Sequence, residues 1–127
     1  MTLAVDTSGG VAKTISNDVV EISWETPREE WEVTGLDKSA MERILLLADF
    51  TVEITGVVNA TADFSHDVFK TVPSTAVART TTITIPTPIV LAGELLYHNY
   101  SLERSDSGEL NYTAEGSLES GTLPTWA

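Results

Sequence analysis

Acidic residues alternate with apolar residues in three segments of the chain, and this alternation constrains the fold more than any other sequence feature. Polar residues occupy every second position within segments 21–25, 30–34 and 49–55, and six of them are carboxylates: Glu21, Glu25, Glu30, Glu32, Asp49 and Glu53. Side chains of a strand point alternately to its two faces, so each segment has one apolar face and one acidic face. The sequence therefore predicts a sheet with one strongly negative face.

The overall charge supports the same view of the surface. The chain has 19 Asp and Glu but only 7 Lys and Arg, and its formal net charge is -12. A negative surface repels phosphate, so this composition argues against a protein that grips nucleic acid and favours a wall that nucleic acid can pass. Like charges on neighbouring strands destabilise a sheet, and a solvated face usually mixes both signs. The unmixed carboxylates therefore indicate a functional face.

Length and composition are those of one compact domain. The chain has 127 residues and no cysteine, which excludes a disulfide framework and a thiolate metal site. Residues 1–17 are polar and contain two consecutive glycines, so we expect an N-terminal arm with little to bury, ordered against a partner. Residues 18–127 are expected to form the folded domain. The longest apolar run, 44–48, is too short to span a membrane.

The local patterns predict mainly antiparallel β structure with one short helix. Segments 19–24 and 30–34 flank Pro27 and predict a hairpin. The further strands are expected at 49–58, 76–85, 89–104 and 109–118, the last two joined by a tight turn.

Two serines carry helix-start signals. Ser65 is the expected cap of the short helix. Ser39 and Glu42 match a capping box, which predicts a helical turn that leads into a strand.

Catalytic and metal-binding patterns are weak. Asp63, His66 and Asp67 have a spacing that would place them together as metal ligands on a helix. An acidic side chain at a helix start, which complements the helix dipole, explains Asp67 more simply. His98 has no Ser or Cys nucleophile in a recognisable motif beside it. We therefore predict no enzyme activity, no catalytic residue, no cofactor and no metal.

Two tryptophans share the apolar side of the predicted hairpin. Trp24 and Trp31 both fall at apolar positions of the alternating pattern. Tryptophan in a small β domain usually packs in a core or at a subunit interface, and a carbohydrate platform is the alternative.

Several short motifs in a fixed order give a more specific indication. They are Trp31–Leu36, Asp37–Arg43, Ala48–Asn59, Ser65–Phe69 and Gly121–Trp126. Together they span roughly residues 19–126. This series resembles the major tail tube proteins of long, non-contractile-tailed (siphovirus-type) bacteriophages.

The resemblance implies a fold and an assembly. It implies an antiparallel β-sandwich of the phage tail tube type with one short α-helix. Subunits of that family form hexameric rings whose inner sheets join into a continuous β-barrel, and the rings stack helically into a tube for DNA ejection. The implied partners are a tape measure protein and tail-end proteins, while DNA passes through the lumen without specific binding. The protein would be part of the virion tail, assembled in the host cytoplasm without a membrane.

The resemblance also assigns expected roles to individual residues. The expected lumen-facing residues are Glu30, Glu32, Asp49, Glu53 and Glu103. The expected inter-ring or subunit contacts are Trp24, Trp31, Gly35, Leu36, Asp37 and Lys38. We expect the loop 35–47 to contact the next ring and the N-terminal arm to contact a neighbouring subunit.

Two alternatives stay open at this point. A tube protein of a related contractile tail or secretion apparatus would share the fold and form rings, and a partner sheath would distinguish it. A monomeric β-sandwich binding module with an exposed Trp24 or Trp31 would instead stay monomeric and bind a glycan.

Overall fold

The described part of the chain forms ten strands, a 3-10 turn and a single helical turn. The computed structural model describes residues 1–36, 40–41, 43–85, 89–119 and 124–126. The strands are β1 (Thr2–Asp6), β2 (Ala12–Thr14), β3 (Val19–Glu25), β4 (Arg28–Glu32), β5 (Arg43–Ala48), β6 (Thr51–Val57), β7 (Arg79–Thr84), β8 (Val90–Arg104), β9 (Leu110–Leu118) and β10 (Thr125–Trp126). The 3-10 turn is Ser16–Asp18 and the helix is α1 (Ser65–Phe69). The prediction of a mainly antiparallel β fold with one short helix is confirmed.

Most strands belong to one antiparallel sheet. Its order is β2-β1-β7-β8-β9-β6-β3, and β10 also pairs with β8. The long strand β8 connects the two halves, because residues 90–95 pair with β7 and residues 95–104 pair with β9. A register shift between Tyr97 and Asn99 leaves His98 without a partner residue in β9. Strands β4 and β5 form a separate two-stranded ribbon.

The inner positions of both half-sheets and the helix share one core. In β6, Val52 and Ile54 are buried while Glu53 between them is exposed, as the period-2 pattern predicted. Val68 and Phe69 of α1 are fully buried in the same core. Its members are Leu3, Val5, Ile15, Phe50, Val52, Ile54, Val68, Phe69, Ile83, Leu91, Leu95, Tyr97, Tyr112 and Ala114.

The N-terminal segment differs from the sequence-based expectation. Strand β1 pairs with β7 inside the large sheet, and Leu3, Val5 and Ile15 are buried. The expectation that residues 1–17 have little to bury is therefore wrong. Three apolar side chains are enough to dock the segment, because each falls at an inward position. Contact of this segment with a neighbouring subunit stays a prediction.

The predicted hairpin between the first two acidic segments is also wrong. Strand β3 pairs with β6, whereas β4 pairs with β5. The chain leaves the large sheet after Glu25 and returns before Thr51, and the Asp49 amide donates to the Pro27 carbonyl at 2.9 Å where the two segments meet. Ser39 and Glu42, which define the predicted helical turn, lie outside the described residues.

The helix forms where predicted, but its cap comes from a distant residue. Phe64 is the N-cap and offers no side-chain bond, while the Ser65 amide donates to Asp18 Oδ2 at 3.1 Å. Asn59 Nδ2 donates to Asp18 Oδ1 at 3.2 Å and holds that carboxylate in place. The Ser65 hydroxyl donates instead to the Val57 carbonyl at 3.3 Å. The predicted Ser65 cap is therefore wrong, since a buried carboxylate supplies the acceptor.

A buried arginine ties the helix to the N-terminal strand. The Arg79 guanidinium donates to the Val68 carbonyl at 2.6 Å, to Thr71 Oγ1 at 2.9 Å and to the Asp6 carbonyl at 3.3 Å. Burial lowers the pKa of Arg79. Its hydrogen bonds to neutral oxygens satisfy a charge that would otherwise be costly to remove from water.

Two buried tyrosines make a testable contrast. The Tyr97 hydroxyl lies 2.7 Å from Thr81 Oγ1, whereas the Tyr112 hydroxyl has no hydrogen-bond partner among the described residues. We expect Tyr97→Phe to lower the free energy of unfolding by about 1 kcal/mol, because the Thr81 hydroxyl loses its partner. Tyr112→Phe is expected to leave that free energy unchanged or to raise it. Urea unfolding at pH 7 measures both, and equal losses would contradict the contrast.

The same two tyrosines predict alkaline instability. Burial raises the pKa of both hydroxyls above the ordinary value of 10.0. Above about pH 10 the unfolded chain releases these protons while the folded chain retains them, so stability falls as the pH rises. The loss should be smaller in either Phe variant, which urea titrations between pH 8 and pH 11 would show.

Candidate functional site

One half of the large sheet carries the negative face that the sequence predicted. This half consists of β3, β6, β9 and residues 96–104 of β8. We call its outward surface the acidic face. Its centre is a row across all four strands, because Ser23 pairs with Glu53, Glu53 pairs with Glu115, and Glu115 pairs with Asn99.

The acidic face has almost no compensating positive charge. Its carboxylates are Glu21, Glu25, Glu53, Glu103 and Glu115. In the described part of these four strands, no outward position holds Lys or Arg. His98 Nε2 lies 3.7 Å from Glu115 Oε2 and adds positive charge only when protonated. Because Glu53 and Glu115 are direct cross-strand neighbours, the face keeps a like-charge pair that weakens the isolated sheet.

The structure separates the predicted lumen residues into two groups. Glu53 and Glu103 lie on the acidic face. Glu30 and Glu32 lie on β4 of the separate ribbon, and Asp49 lies between β5 and β6. The structure thus brings only the first two together.

Three carboxylates of this face were missing from the predicted set. Glu21 and Glu25 are exposed on β3, and Glu115 is outward on β9. Alternation in 111–117 would have revealed Glu115, but Ala114 and Gly116 are too small to read as an apolar face.

The half-sheet that carries the acidic face has two open edges. In the residues that the structure describes, β3 pairs only with β6. Strand β8 pairs with β7 only through residues 90–95, so the same side of residues 96–104 has no partner strand within the described chain. Counting through the antiparallel pairs, β8 and β3 run in opposite directions. The two edges can therefore pair with each other in an antiparallel manner between copies.

The two-stranded ribbon exposes an unusual number of large apolar side chains. We call residues 28–48 the apolar ribbon. Leu36 is fully exposed, and Trp31 is 62% exposed. The large apolar side chains exposed on the ribbon are Trp31, Val33, Leu36, Met41, Ile44, Leu45 and Leu47. Exposed apolar side chains in this number indicate an interaction surface.

The predicted interface residues fall in different surroundings. Trp31, Gly35 and Leu36 are exposed on the apolar ribbon. Trp24 is partly buried and packs against the core, while Asp37 and Lys38 lie outside the described residues.

The titratable groups considered as metal ligands have other partners. Asp63 accepts a salt bridge from Lys13 at 2.7 Å, and His66 Nδ1 lies 3.0 Å from the Tyr100 hydroxyl. The Lys70 hydrogen bond lowers the pKa of Asp67. Within the described ranges, no group of three or more His, Asp or Glu side chains is arranged to hold a metal ion. No helix in this part of the chain is long and apolar enough to cross a membrane.

Solved structures with the same fold come from gene transfer agent particles. One is the tail of an empty gene transfer agent (GTA) particle with C6 symmetry, at 15% identity and a TM-score of 0.75; the match covers 100% of this chain and 95% of that chain. Another is the virion of a native GTA particle, at 15% identity and a TM-score of 0.72, covering 98% and 95%. The sequence matches no protein-family model and no curated protein. The chain shares the fold of these two GTA chains.

Proposed function

We propose that this chain is the tube subunit of a phage-like tail, which assembles into stacked hexameric rings around a DNA channel. The observation that carries the proposal is the acidic face on a four-stranded half-sheet with two open edges. The shared fold with GTA tail proteins supports it.

Ring closure follows from the open edges. In the proposed ring, the β3 edge of one subunit pairs with the β8 edge of the next subunit. Each subunit then contributes four strands to one closed antiparallel barrel, which leaves no edge of this half-sheet exposed. The sixfold symmetry in the proposal has support from the C6 tail that shares the fold.

The acidic face becomes the wall of the channel in this arrangement. Glu53, Glu103 and Glu115 would line the lumen, and their charge would keep DNA phosphates from binding. The repulsion between Glu53 and Glu115 then has a functional reason. Lumen exposure of Glu30, Glu32 and Asp49 stays a prediction, because these residues lie outside the half-sheet.

The resemblance noted in the sequence extends the proposal to the rest of the tail. We place the protein in a long, non-contractile, siphovirus-type tail. There it would meet a tape measure protein and tail-end proteins, after assembly in the host cytoplasm. The proposed role is structural, without catalysis or a cofactor.

A monomeric binding module is the second candidate. The exposure of Trp31 favours it, because an exposed indole can stack on a sugar ring. The other exposed apolar side chains of the ribbon favour a protein contact instead.

Negative-stain electron microscopy of the purified protein over a range of concentrations tests the proposal, with light scattering on the same samples. Rings or hollow tubes with sixfold end views would support it. Persistent monomers at every concentration would contradict self-assembly. A change in tryptophan fluorescence when glycan is added to such monomers would favour the binding module.

A further inference from the structure

The hydrogen bonds of β6 show which amides of β3 face the open edge. The Val58 amide donates to the Leu110 carbonyl at 3.1 Å, so the even-numbered residues of β6 bond to β9 and the odd-numbered residues bond to β3. Their partners in β3 are also odd-numbered. The amides of Ile22 and Trp24 therefore face the open edge.

The β8 edge follows the same rule. The Ser105 amide donates to the Glu109 carbonyl at 2.9 Å at the end of the β8–β9 ladder, so the odd-numbered residues near this end of β8 bond to β9. The amides of Leu102 and Arg104 therefore face the open edge. Antiparallel pairing joins residues whose amides face each other, so even-numbered residues must meet even-numbered residues. The register between two copies can shift only in steps of two residues.

A register without stagger cannot close a barrel. The central row of the acidic face runs from Ser23 through Glu53 and Glu115 to Asn99. If Ser23 of the next copy lay opposite Asn99, this row would close on itself and the strands would run parallel to the barrel axis. Closed barrels instead have tilted strands and a staggered register. Ser23 of the next copy must therefore lie opposite another residue of β8.

Strand β7 fixes the direction of this stagger. It pairs with β8 up to Leu95, and there Arg79 occupies the side on which the next copy has to bind. A stagger of two residues toward the start of β8 would already carry the end of β3 into the place of Arg79. Residues 96–104 have no partner strand on this side within the described chain, so a stagger toward the hairpin end meets no such obstacle.

Like charges select among the registers that remain. A stagger of two residues places Glu21 opposite Glu103, and a stagger of six residues places Glu25 opposite Glu103. These odd-numbered positions would form non-hydrogen-bonded pairs with Cα atoms only about 4.5 Å apart, so the repulsion would oppose closure. A stagger of four residues brings no two carboxylates face to face. It places Ser23 opposite Glu103 and Glu25 opposite Ser101.

The tilt of the strands supports the same register. Four strands per subunit span roughly 19 Å across the sheet, and four residues advance roughly 13 Å along a strand. This ratio corresponds to a tilt of about 35°, and barrel strands typically tilt by about 35–45°. A stagger of two residues would give a tilt of only about 19°. The tilt therefore excludes the stagger of two residues independently of charge.

The core side of the sheet gains an apolar contact in this register. Trp24 comes to lie opposite Leu102, and both residues alternate with the outward positions of their strands. In the single subunit Leu102 is 48% exposed and Trp24 is only partly buried. Contact between them would remove apolar area from water at the closed edge.

We propose that the rings close with a stagger of four residues, so that Ser23 of one copy pairs with Glu103 of the next copy and Glu25 pairs with Ser101. This inference rests on the proposed function and names the residues that meet between subunits of one ring. Each row of the acidic face then crosses the channel wall obliquely, which spreads the negative charge of a ring along the channel.

Engineered disulfides measure the register, because the chain has no cysteine. Two double variants report the proposed register: Ser23→Cys with Glu103→Cys, and Glu25→Cys with Ser101→Cys. All four side chains are exposed. The paired Cα atoms would lie about 4.5 Å apart, which a disulfide can bridge. Within one subunit β3 and β8 are separated by three strand spacings, roughly 14 Å, so no internal disulfide can form.

The same four cysteines in the other combinations are the matched controls. Ser23→Cys with Ser101→Cys reports a stagger of two residues, and Glu25→Cys with Glu103→Cys reports a stagger of six. Each double variant is assembled under reducing conditions, oxidised and run on a non-reducing gel. We expect a ladder up to the hexamer from both pairs of the proposed register and at least tenfold less from either control. An equal or stronger ladder from a control would overturn the proposed register.

Electron microscopy of the same samples separates the register from the proposed function. Rings or tubes that give no ladder with the proposed pairs would overturn the register and leave the tube subunit standing. The two pairs share no residue, so either pair can decide by itself. Wild-type protein that forms neither rings nor tubes would contradict the tube subunit, and without a ladder it would contradict the register too.

Discussion

Tubes that carry Glu53→Lys are expected to retain double-stranded DNA at low salt, whereas wild-type tubes release it. Glu53 lies in the central row of the acidic face, between Ser23 and Glu115. In a stacked tube the change would place a lysine at the same height in every subunit of every ring. Pelleting tubes with fluorescent DNA measures retention, which should rise at least tenfold and fall again as salt is added. In an infecting particle the same change should slow DNA delivery.

Glu94→Lys is the matched control for this experiment. Glu94 is also an exposed strand residue, but it pairs with Thr80 on the other half of the large sheet. The net charge changes equally, so a wall-specific effect should appear only with Glu53→Lys. Equal retention by both variants would contradict the assignment of the acidic face to the lumen.

Glu53→Lys should also make the isolated subunit more stable. The change replaces a like-charge pair with an opposite-charge pair across from Glu115, and such pairs differ by about 0.2–1 kcal/mol. Urea unfolding would show the gain and would confirm that the variant folds. The Glu53 side chain weakens its own sheet in the wild-type subunit, which is expected if its negative charge serves the wall of the channel.

The secondary structure that depends on residues adjacent in the sequence could be predicted from the sequence. Strand β6 follows the alternation of Val52, Glu53 and Ile54, because each side chain of a strand reports its own face. Glu115 was missed on the adjacent strand for a packing reason. A Cβ at Gly116 would lie 3.1 Å from the Tyr97 ring, so a larger residue there would crowd this buried ring. Because Ala114 and Gly116 are small, the alternation of apolar and polar side chains along β9 cannot be recognised in the sequence.

The pairing of the strands could not be predicted in the same way. Strands β3 and β4 have similar acidic alternation, yet Trp24 packs against the core and Trp31 is exposed. Nothing local distinguishes them, because the difference arises from their partners β6 and β5. The capping of Ser65 by Asp18 is likewise a contact across 47 positions of sequence. The pairing of β4 with β5 in a separate ribbon therefore could not be predicted from the sequence.

The open edges predict the second large effect. Leu102→Pro, on the β8 edge, is expected to leave a folded monomer that forms no rings. Hydrogen bonds alternate along an antiparallel ladder, so Ser101 and Glu103 bond to β9 while the Leu102 amide faces the open edge. Proline has no amide hydrogen, and its ring obstructs an approaching strand. The Leu102 side chain is 48% exposed and lies outside the buried core, so the change removes little packing. Analytical ultracentrifugation should show the critical concentration for assembly rising more than tenfold, while circular dichroism confirms the β fold.

Ile22→Pro makes the same change on the opposite edge, because the Ile22 amide faces away from β6, and it should block rings equally since closure needs one edge of each kind. Ile22 is partly buried, so circular dichroism must show the β fold before its result counts. Leu102→Val is the control, since valine keeps the amide hydrogen and favours strands. It should assemble like the wild type. Normal rings from folded Leu102→Pro and Ile22→Pro would rule out closure through these edges, and the acidic face would then need another route to the lumen.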